Sequence, residues 1–300
     1  MILFPSQMIT SLRDWLDEPS EGFWSNQTLM LKLNEAKDNI VRAIAEQDSS
    51  FFIATTNIDL VADQPTYDLP RNAPLGTKWD HIVRLNADGN PEKFVYDYRL
   101  RDHVIGDLVS NPSSSANYRM TFQGPQLRVT PVPGLSESNA IQVFYIPTFG
   151  DMHEGTVSAA TSTTITFPTN PTYSAFDTPS IFDDFYNGMY VVITSGTGVG
   201  QIRQITDYTG GATFQATVAA WTTTPDSDSG YAVISPVPEG FHDLQVLNAA
   251  KFSSPKSTRR RFPEIVQLHQ EKWIEMLEFV HMRQTFRDDA VIPDLSTGVF

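Results

Sequence analysis

The sequence predicts an α+β protein: a four-helix bundle formed by N- and C-terminal helices, a long β-sheet or sandwich excursion between them, and an inserted small β module. Three observations predict it. Apolar residues recur at spacings of three and four near both ends of the chain, the pattern of amphipathic helices. From Phe51 the period drops to two, and Pro, Gly, Asn and Asp punctuate short stretches rich in β-branched and aromatic residues. From 150 to about 236 the composition shifts toward Thr, Ser and Gly and away from Lys and Arg. The implied division is 1–50 with 237–287 as helical bundle, 51–149 as β domain, 150–236 as inserted β module and 288–300 as a C-terminal arm that orders on a partner.

The first helix is expected over 11–17, where Ser11 and Asp14 make a capping box and Ile9, Leu12, Trp15 and Leu16 share a face. The second starts at an N-cap, Ser25, and runs to about Gln47. Leu29, Leu33, Ala36, Ile40, Ala43 and Ile44 form its inward face, and Lys32, Glu35, Lys37, Asp38 and Arg42 its solvated one. Strands are expected at 51–55, 79–85, 93–98, 118–122, 126–130 and 140–145, then in the module at 163–167, 189–193, 201–206, 212–218 and 231–234. Pro238 opens a third helix whose face is Phe241, Leu244, Leu247 and Ala250. Pro263 and Glu264 open a fourth, to about Arg283, with Val266, Trp273, Leu277 and Val280 inward and Ile265, Leu268, Met276 and Phe279 widening the stripe.

The 300 residues carry 21 Lys and Arg against 35 Asp and Glu, a net charge of −14. Coating nucleic acid needs the opposite excess, because phosphates are neutralised by cations. The chain has no Cys, which removes disulfides, thiolate metal sites and Cys nucleophiles. The N-terminus lacks the basic lead of a secretory signal, and no apolar run approaches a membrane span, so the chain reads as soluble.

Catalytic motifs are sparse. Ser195-Gly196-Thr197-Gly198-Val199-Gly200 lacks the Gly-Lys-Ser/Thr ending of a phosphate loop and is followed by a strand pattern, so it reads as a hairpin turn. Asp183 and Asp184 are adjacent and point apart in any strand. The six His residues show no metal-binding spacing, and no Gly-x-Ser-x-Gly elbow occurs. No enzyme activity, catalytic residue, metal or cofactor is expected. The basic run Arg259, Arg260 and Arg261 stands just before a helix N-terminus, where cations oppose the helix dipole. It reads either as a solvated loop or as a patch that pairs with a partner's carboxylates.

At Gln64-Pro65-Thr66-Tyr67-Asp68-Leu69-Pro70 the sequence resembles the head-to-tail adaptor (connector) proteins of tailed bacteriophages, which often show a Tyr-x-Leu-Pro step after a long second helix. Further matches are Leu12-Arg13-Asp14-Trp15-Leu16, the Trp24-Ser25 entry into a helix bearing Leu33-Asn34-Glu35-Ala36, Leu127-Arg128-Val129-Thr130-Pro131-Val132-Pro133, and Tyr145-Ile146-Pro147. Residues 178–234 look like a β module that decorates phage structural proteins more generally. The resemblance implies a virion protein of the neck, made in the host cytoplasm. Such a protein assembles as a ring, usually of twelve copies, that docks on the portal protein and joins tail nozzle, hub or fibre proteins. Double-stranded DNA would pass through it without specific binding, and no membrane is involved. Arg259, Arg260, Arg261 and Phe300 are the expected portal-binding residues. Two other readings stay open: a collar or tail-fibre attachment protein, and a carbohydrate-binding or hydrolytic β protein using Trp221, Tyr186, Tyr190 and Asp184 as an aromatic and acidic groove.

Overall fold

The computed structural model describes residues 2–73, 79–85, 89, 91–94, 119–123, 126–253 and 261–288. Among the described residues the protein is mixed α and β, with four helices and an extensive β portion. It divides into two compact units, Met1–Phe51 with Phe149–Phe300, and Phe52–Thr148.

The Phe52–Thr148 unit is antiparallel β. Strands β1 (Ala54–Leu60), β3 (Trp79–Leu85), β4 (Pro91–Phe94) and β7 (Glu137–Tyr145) form one sheet in the order β1-β7-β3-β4, and β2 (Thr66–Asp68), β5 (Arg119–Gln123) and β6 (Gln126–Thr130) form another in the order β2-β6-β5. Alternation on β6 sends Leu127 and Val129 inward, where they meet Tyr67, Ile82, Met120, Ile141 and Val143 in one buried cluster. The Tyr67 hydroxyl donates to the Gln64 carbonyl at 2.8 Å and accepts from the Val61 amide at 3.1 Å, pinning the turn between β1 and β2. The predicted strand at 93–98 is described only as far as Phe94, and β1 begins three residues later than expected because Ser49–Phe52 forms a 3₁₀ turn.

The other unit joins the helices to a seven-stranded sheet. Helix α1 (Pro5–Trp15) starts six residues before the expected Ser11. Pro5 occupies N1, where its missing N–H costs nothing, and the Gln7 side chain accepts from the Phe4 amide at 3.0 Å. Glu154 completes the start: its carboxylate accepts from the Ser6 amide at 2.8 Å and the Ser6 hydroxyl at 3.1 Å, placing an anion at the positive end of the helix dipole. Helix α2 (Asn26–Gln47) has the expected cap, with the Thr28 amide donating to Ser25 Oγ at 3.2 Å, and the expected C-terminus.

The seven strands β8 (His153–Thr156), β9 (Ala159–Ala160), β10 (Thr164–Thr166), β11 (Tyr190–Ser195), β12 (Ile202–Thr209), β13 (Gln215–Val218) and β14 (Gly230–Ile234) pair antiparallel in the order β8-β14-β11-β12-β13-β10-β9. β8 and β9 carry too few apolar residues to register as strands in the sequence. The glycine-rich stretch joins β11 to β12 as a hairpin, and Gly196, Gly198 and Gly200 all hold the positive φ that such a turn demands.

Helix α3 (His242–Ser253) is buried nearly all round and touches α1, α2 and α4 (Phe262–Asp288). Two of its buried amides donate to backbone: Gln245 Nε2 to the Leu33 carbonyl at 3.0 Å, and Asn248 Nδ2 to that of Ala36 at 3.4 Å. His242 Nδ1 accepts from the Leu3 amide at 3.0 Å and its Nε2 donates to the Val237 carbonyl at 3.0 Å, which fixes the tautomer. Met8, Leu12, Leu29 and Leu33 of the helices share one buried cluster with Met152, Val191 and Tyr231 of the sheet.

Lys37 and the apolar stripe of α4 depart from the expected faces. Lys37, placed on the solvated side by periodicity, is wholly buried; its Nζ donates to the carbonyls of Phe149, at 3.0 Å, and Gly150, and lies 3.2 Å from Asp38 Oδ1. On α4 the buried stripe is Ile265, His269, Met276 and Val280, while Val266, Trp273 and Leu277 are half-buried. The stripe is rotated because α3, rather than a symmetric bundle axis, covers it.

Candidate functional site

The helical face carries a groove of about 650 Å³ between α2, α3 and α4. Helix α2 contributes Arg42 and Glu46, α3 contributes Lys251 and Phe252, and α4 contributes His269, Trp273 and Ile274. Phe252 is 54% exposed and Ile274 49%, large values for side chains of that size. The His269 ring stacks on Trp273, with centroids 5.4 Å apart and an interplanar angle of 23°. Burial and the neighbouring Lys251 ammonium push the imidazole down to about 4, so it is neutral at pH 7. Its Nε2 is buried without a hydrogen-bond partner. Sequence periodicity missed this surface. The one signal for it is Ile274, an apolar residue off the inward stripe.

The basic run divides between described and undescribed residues. Arg259, Arg260 and Phe300 lie outside the described residues, whereas Arg261 is placed: its Nη1 donates to the Asp14 carbonyl at 3.0 Å, and its Nε lies 3.7 Å from Asp17 Oδ1. A cation before α4 is thus set against the last turn of α1, where the free carbonyls and the negative end of the dipole favour it. Arg13, Asp14, Asp17, Glu18 and Arg261 together line a polar depression of about 510 Å³. Beside it, buried Arg13 organises the α1–α2 loop, donating to the carbonyls of Ser20 at 3.1 Å and Trp24 at 2.9 Å and to Asn26 Oδ1 at 2.8 Å.

The aromatic residues of the β module are not gathered into a groove. Tyr186 and Trp221 are buried, Tyr190 is 41% exposed, and Asp184 sits on a left-handed turn at φ 63° with Asn187 Nδ2 donating to it at 2.7 Å. Burial raises the Asp184 carboxyl, the Asn187 bond opposes that rise, and Asp207 and Asp183 add to it. Tyr186 belongs to a buried aromatic cluster with His153, Phe167, Tyr208 and Tyr231, where His153 Nδ1 and Tyr231 Oη lie 3.0 Å apart. Full burial pushes His153 down to about 3. Among the described residues no group of three His, Asp or Glu side chains is arranged to hold a metal, and no helix is long and apolar enough to cross a membrane.

No curated protein matches the sequence. The family model described as SU10 adaptor protein matches residues 6–178, which takes in α1, α2, the whole Phe52–Thr148 unit and β8 to β10. The unmatched remainder supplies α3, which packs on α1 and α2, and β14, which pairs with β8, so it completes a core that the matched part begins. With more than half of its length matched, from the Pro5 helix through the first strands of the module, the chain belongs to the SU10 adaptor protein family, a phage family of structural adaptors.

Proposed function

We propose that this virion component is a head-to-tail adaptor that assembles as a ring of about twelve copies, docks on the portal and extends the DNA channel toward the tail. Family membership carries the reading. The adaptor is structural rather than catalytic, with its helices meeting the portal, and tail nozzle, hub or fibre proteins are its further partners.

The net charge of −14 supports a conduit role. A wall of carboxylates repels phosphates and lets the duplex slide, whereas each cation bound to a phosphate adds salt-dependent affinity that slows passage. Arg259, Arg260 and the segment containing Phe300 are proposed to contact the portal. Arg261 already serves α1, so the variant that tests the contact is Arg259→Ala/Arg260→Ala. It should weaken portal binding while leaving the melting temperature unchanged.

The deciding experiment is incubation of the full chain with isolated portal rings, followed by electron microscopy. Added density on one end of the ring at stoichiometric occupancy is the expected result. Absence of binding at low salt would redirect the assignment to a collar or fibre-attachment protein. That second reading is favoured by one observation, the exposed Phe176 and Ile181 in the loop before β11, at 57% and 58%.

A further inference from the structure

The first described residues lie as a strap across the outer face of the module's sheet. Ile2 and Phe4 pack on a small buried cluster of Val192, Ala232 and Ile234, while Leu3, turned the other way, meets the main core. Cross-strand pairing sets Tyr190 opposite Ile234 and Ile202 opposite Val192, so both belong to that outer face, where they stay 41% and 39% exposed. Beyond the strap, Pro5 starts α1 and the Ser6 amide is held by Glu154.

One side chain ties the strap to the helices. His242, the first residue of α3 and 2% exposed, uses its two ring nitrogens in opposite senses. Nε2 faces the Val237 carbonyl at 3.0 Å and has to donate, whereas Nδ1 faces the Leu3 N–H at 3.0 Å and has to accept. Only the neutral ring with its proton on Nε2 satisfies both. A second proton goes to Nδ1, where it meets the Leu3 N–H head on, so the imidazolium and the Leu3 hydrogen bond exclude each other. Burial lowers the ring's affinity for that proton and keeps it neutral at pH 7, and the terminal ammonium acts in the same direction. The Val237 carbonyl, Glu239 and Asp243 oppose them, and Asp243 is itself 3.7 Å from Lys272 Nζ.

We propose that residues 2–4 are a proton-operated latch: neutral His242 holds them over Val192, Ala232 and Ile234, and protonated His242 releases them, joining those side chains to Tyr190 and Ile202 in one apolar strip open to water. Helix α1 stays in place, because the Glu154 contact to Ser6 lies beyond the hinge at Pro5. Linkage fixes the sign of the opening. The open state binds the proton at the ordinary His value of 6.5 and the closed state only below it, so local opening grows as pH falls through 6.5. The latch is independent of the adaptor reading.

The chain has no Cys, so a single engineered thiol reports the opening. Val192→Cys places one of similar volume under the strap of the full chain, and 4,4′-dithiodipyridine, which reacts with thiols in mild acid, measures its exposure. Dividing each rate by that of the same chain unfolded in urea at the same pH removes the thiol's own titration. The normalised rate should rise by up to about ten-fold per pH unit below pH 6.5. Val233→Cys, on the inner face of the neighbouring strand, should stay protected, which separates the latch from a loosening of the module through His153. His242→Gln takes up no proton and should flatten the pH dependence of the Val192→Cys chain. Leu3→Pro removes the N–H from the other side of the contact and should speed the reaction several-fold already at pH 7, with a shallower pH dependence, so a His242 variant that fails to fold leaves the test intact. A normalised rate indifferent to pH, a full slope retained in His242→Gln or in Leu3→Pro, or Val233→Cys becoming reactive in parallel would overturn the inference.

Discussion

Lys37 shows how one side chain can hold distant backbone in place. Its ammonium satisfies two carbonyls at the start of the β module, more than a hundred residues away in sequence, from the middle of an amphipathic helix. Lys37→Met keeps the apolar stem but takes the ammonium from the buried Gly150 carbonyl, which should cost about 1–3 kcal/mol. Urea unfolding measures that loss, and a change below about 0.5 kcal/mol would mean that water replaces the ammonium.

His153 makes stability depend on pH. Its folded value of about 3 lies below the ordinary 6.5, so the unfolded chain binds the proton first. Its contribution is fully present above pH 6.5 and is lost as pH falls from there toward 3. His242 and His269 are lowered by burial and act with the same sign. Asp151 and Asp184, raised chiefly by burial, act in the opposite direction, since the folded state then holds the extra proton. The urea midpoint should therefore drop between pH 7 and 5, with His153 contributing a slope of up to about 1.4 kcal/mol per pH unit. His153→Phe should make that slope shallower, and an unchanged slope would refute the assignment.

At the scale of elements, close backbone approach decides which glycines matter. A Cβ on Gly210 would lie 2.4 Å from the Ile181 carbonyl carbon and 2.5 Å from its oxygen, in backbone that cannot move aside cheaply. Gly134 has open space around it and no left-handed φ. Gly210→Ala should cost about 1–3 kcal/mol, whereas Gly134→Ala should be neutral in a thermal melt. Helix α3 makes a comparable demand. Gln245→Leu would remove the second donor to the Leu33 carbonyl, which keeps its helical partner, and an expected loss of about 1 kcal/mol can be read from the same melts.

At the scale of the molecule, the matched region 6–178 is not a self-sufficient body. It holds α1, α2 and β8 but lacks α3, β11 and β14, which bury the inward faces of all three. A chain ending at 178 should expose Leu29, Leu33 and Met152 to water and bind a hydrophobic dye, with early protease cleavage in α2. The full chain should resist both. A protease-resistant α2 in the fragment would show that the N-terminal helices find another partner.

Much of the architecture was legible in short-range pattern. Ser25 as N-cap, the limits of α2, and strands 79–85 and 126–130 follow from periodicity and local hydrogen bonding, which need only neighbouring residues. The glycine-rich hairpin was legible for the same reason, because positive φ is a property of the residue itself. The order of motifs from Leu12 to Pro147 carried the adaptor family. Burial of Lys37, the rotated stripe of α4, the placement of Arg261 on the end of α1, and the groove beneath Phe252 and Ile274 were not legible. Each depends on atoms brought together from far along the chain: the carbonyls of Phe149 and Gly150, the covering face of α3, and the carbonyl of Asp14, 247 residues from Arg261. Periodicity reports that a helix has an apolar side, but which groups meet that side, and which cations find carbonyls instead of water, is settled by long-range packing.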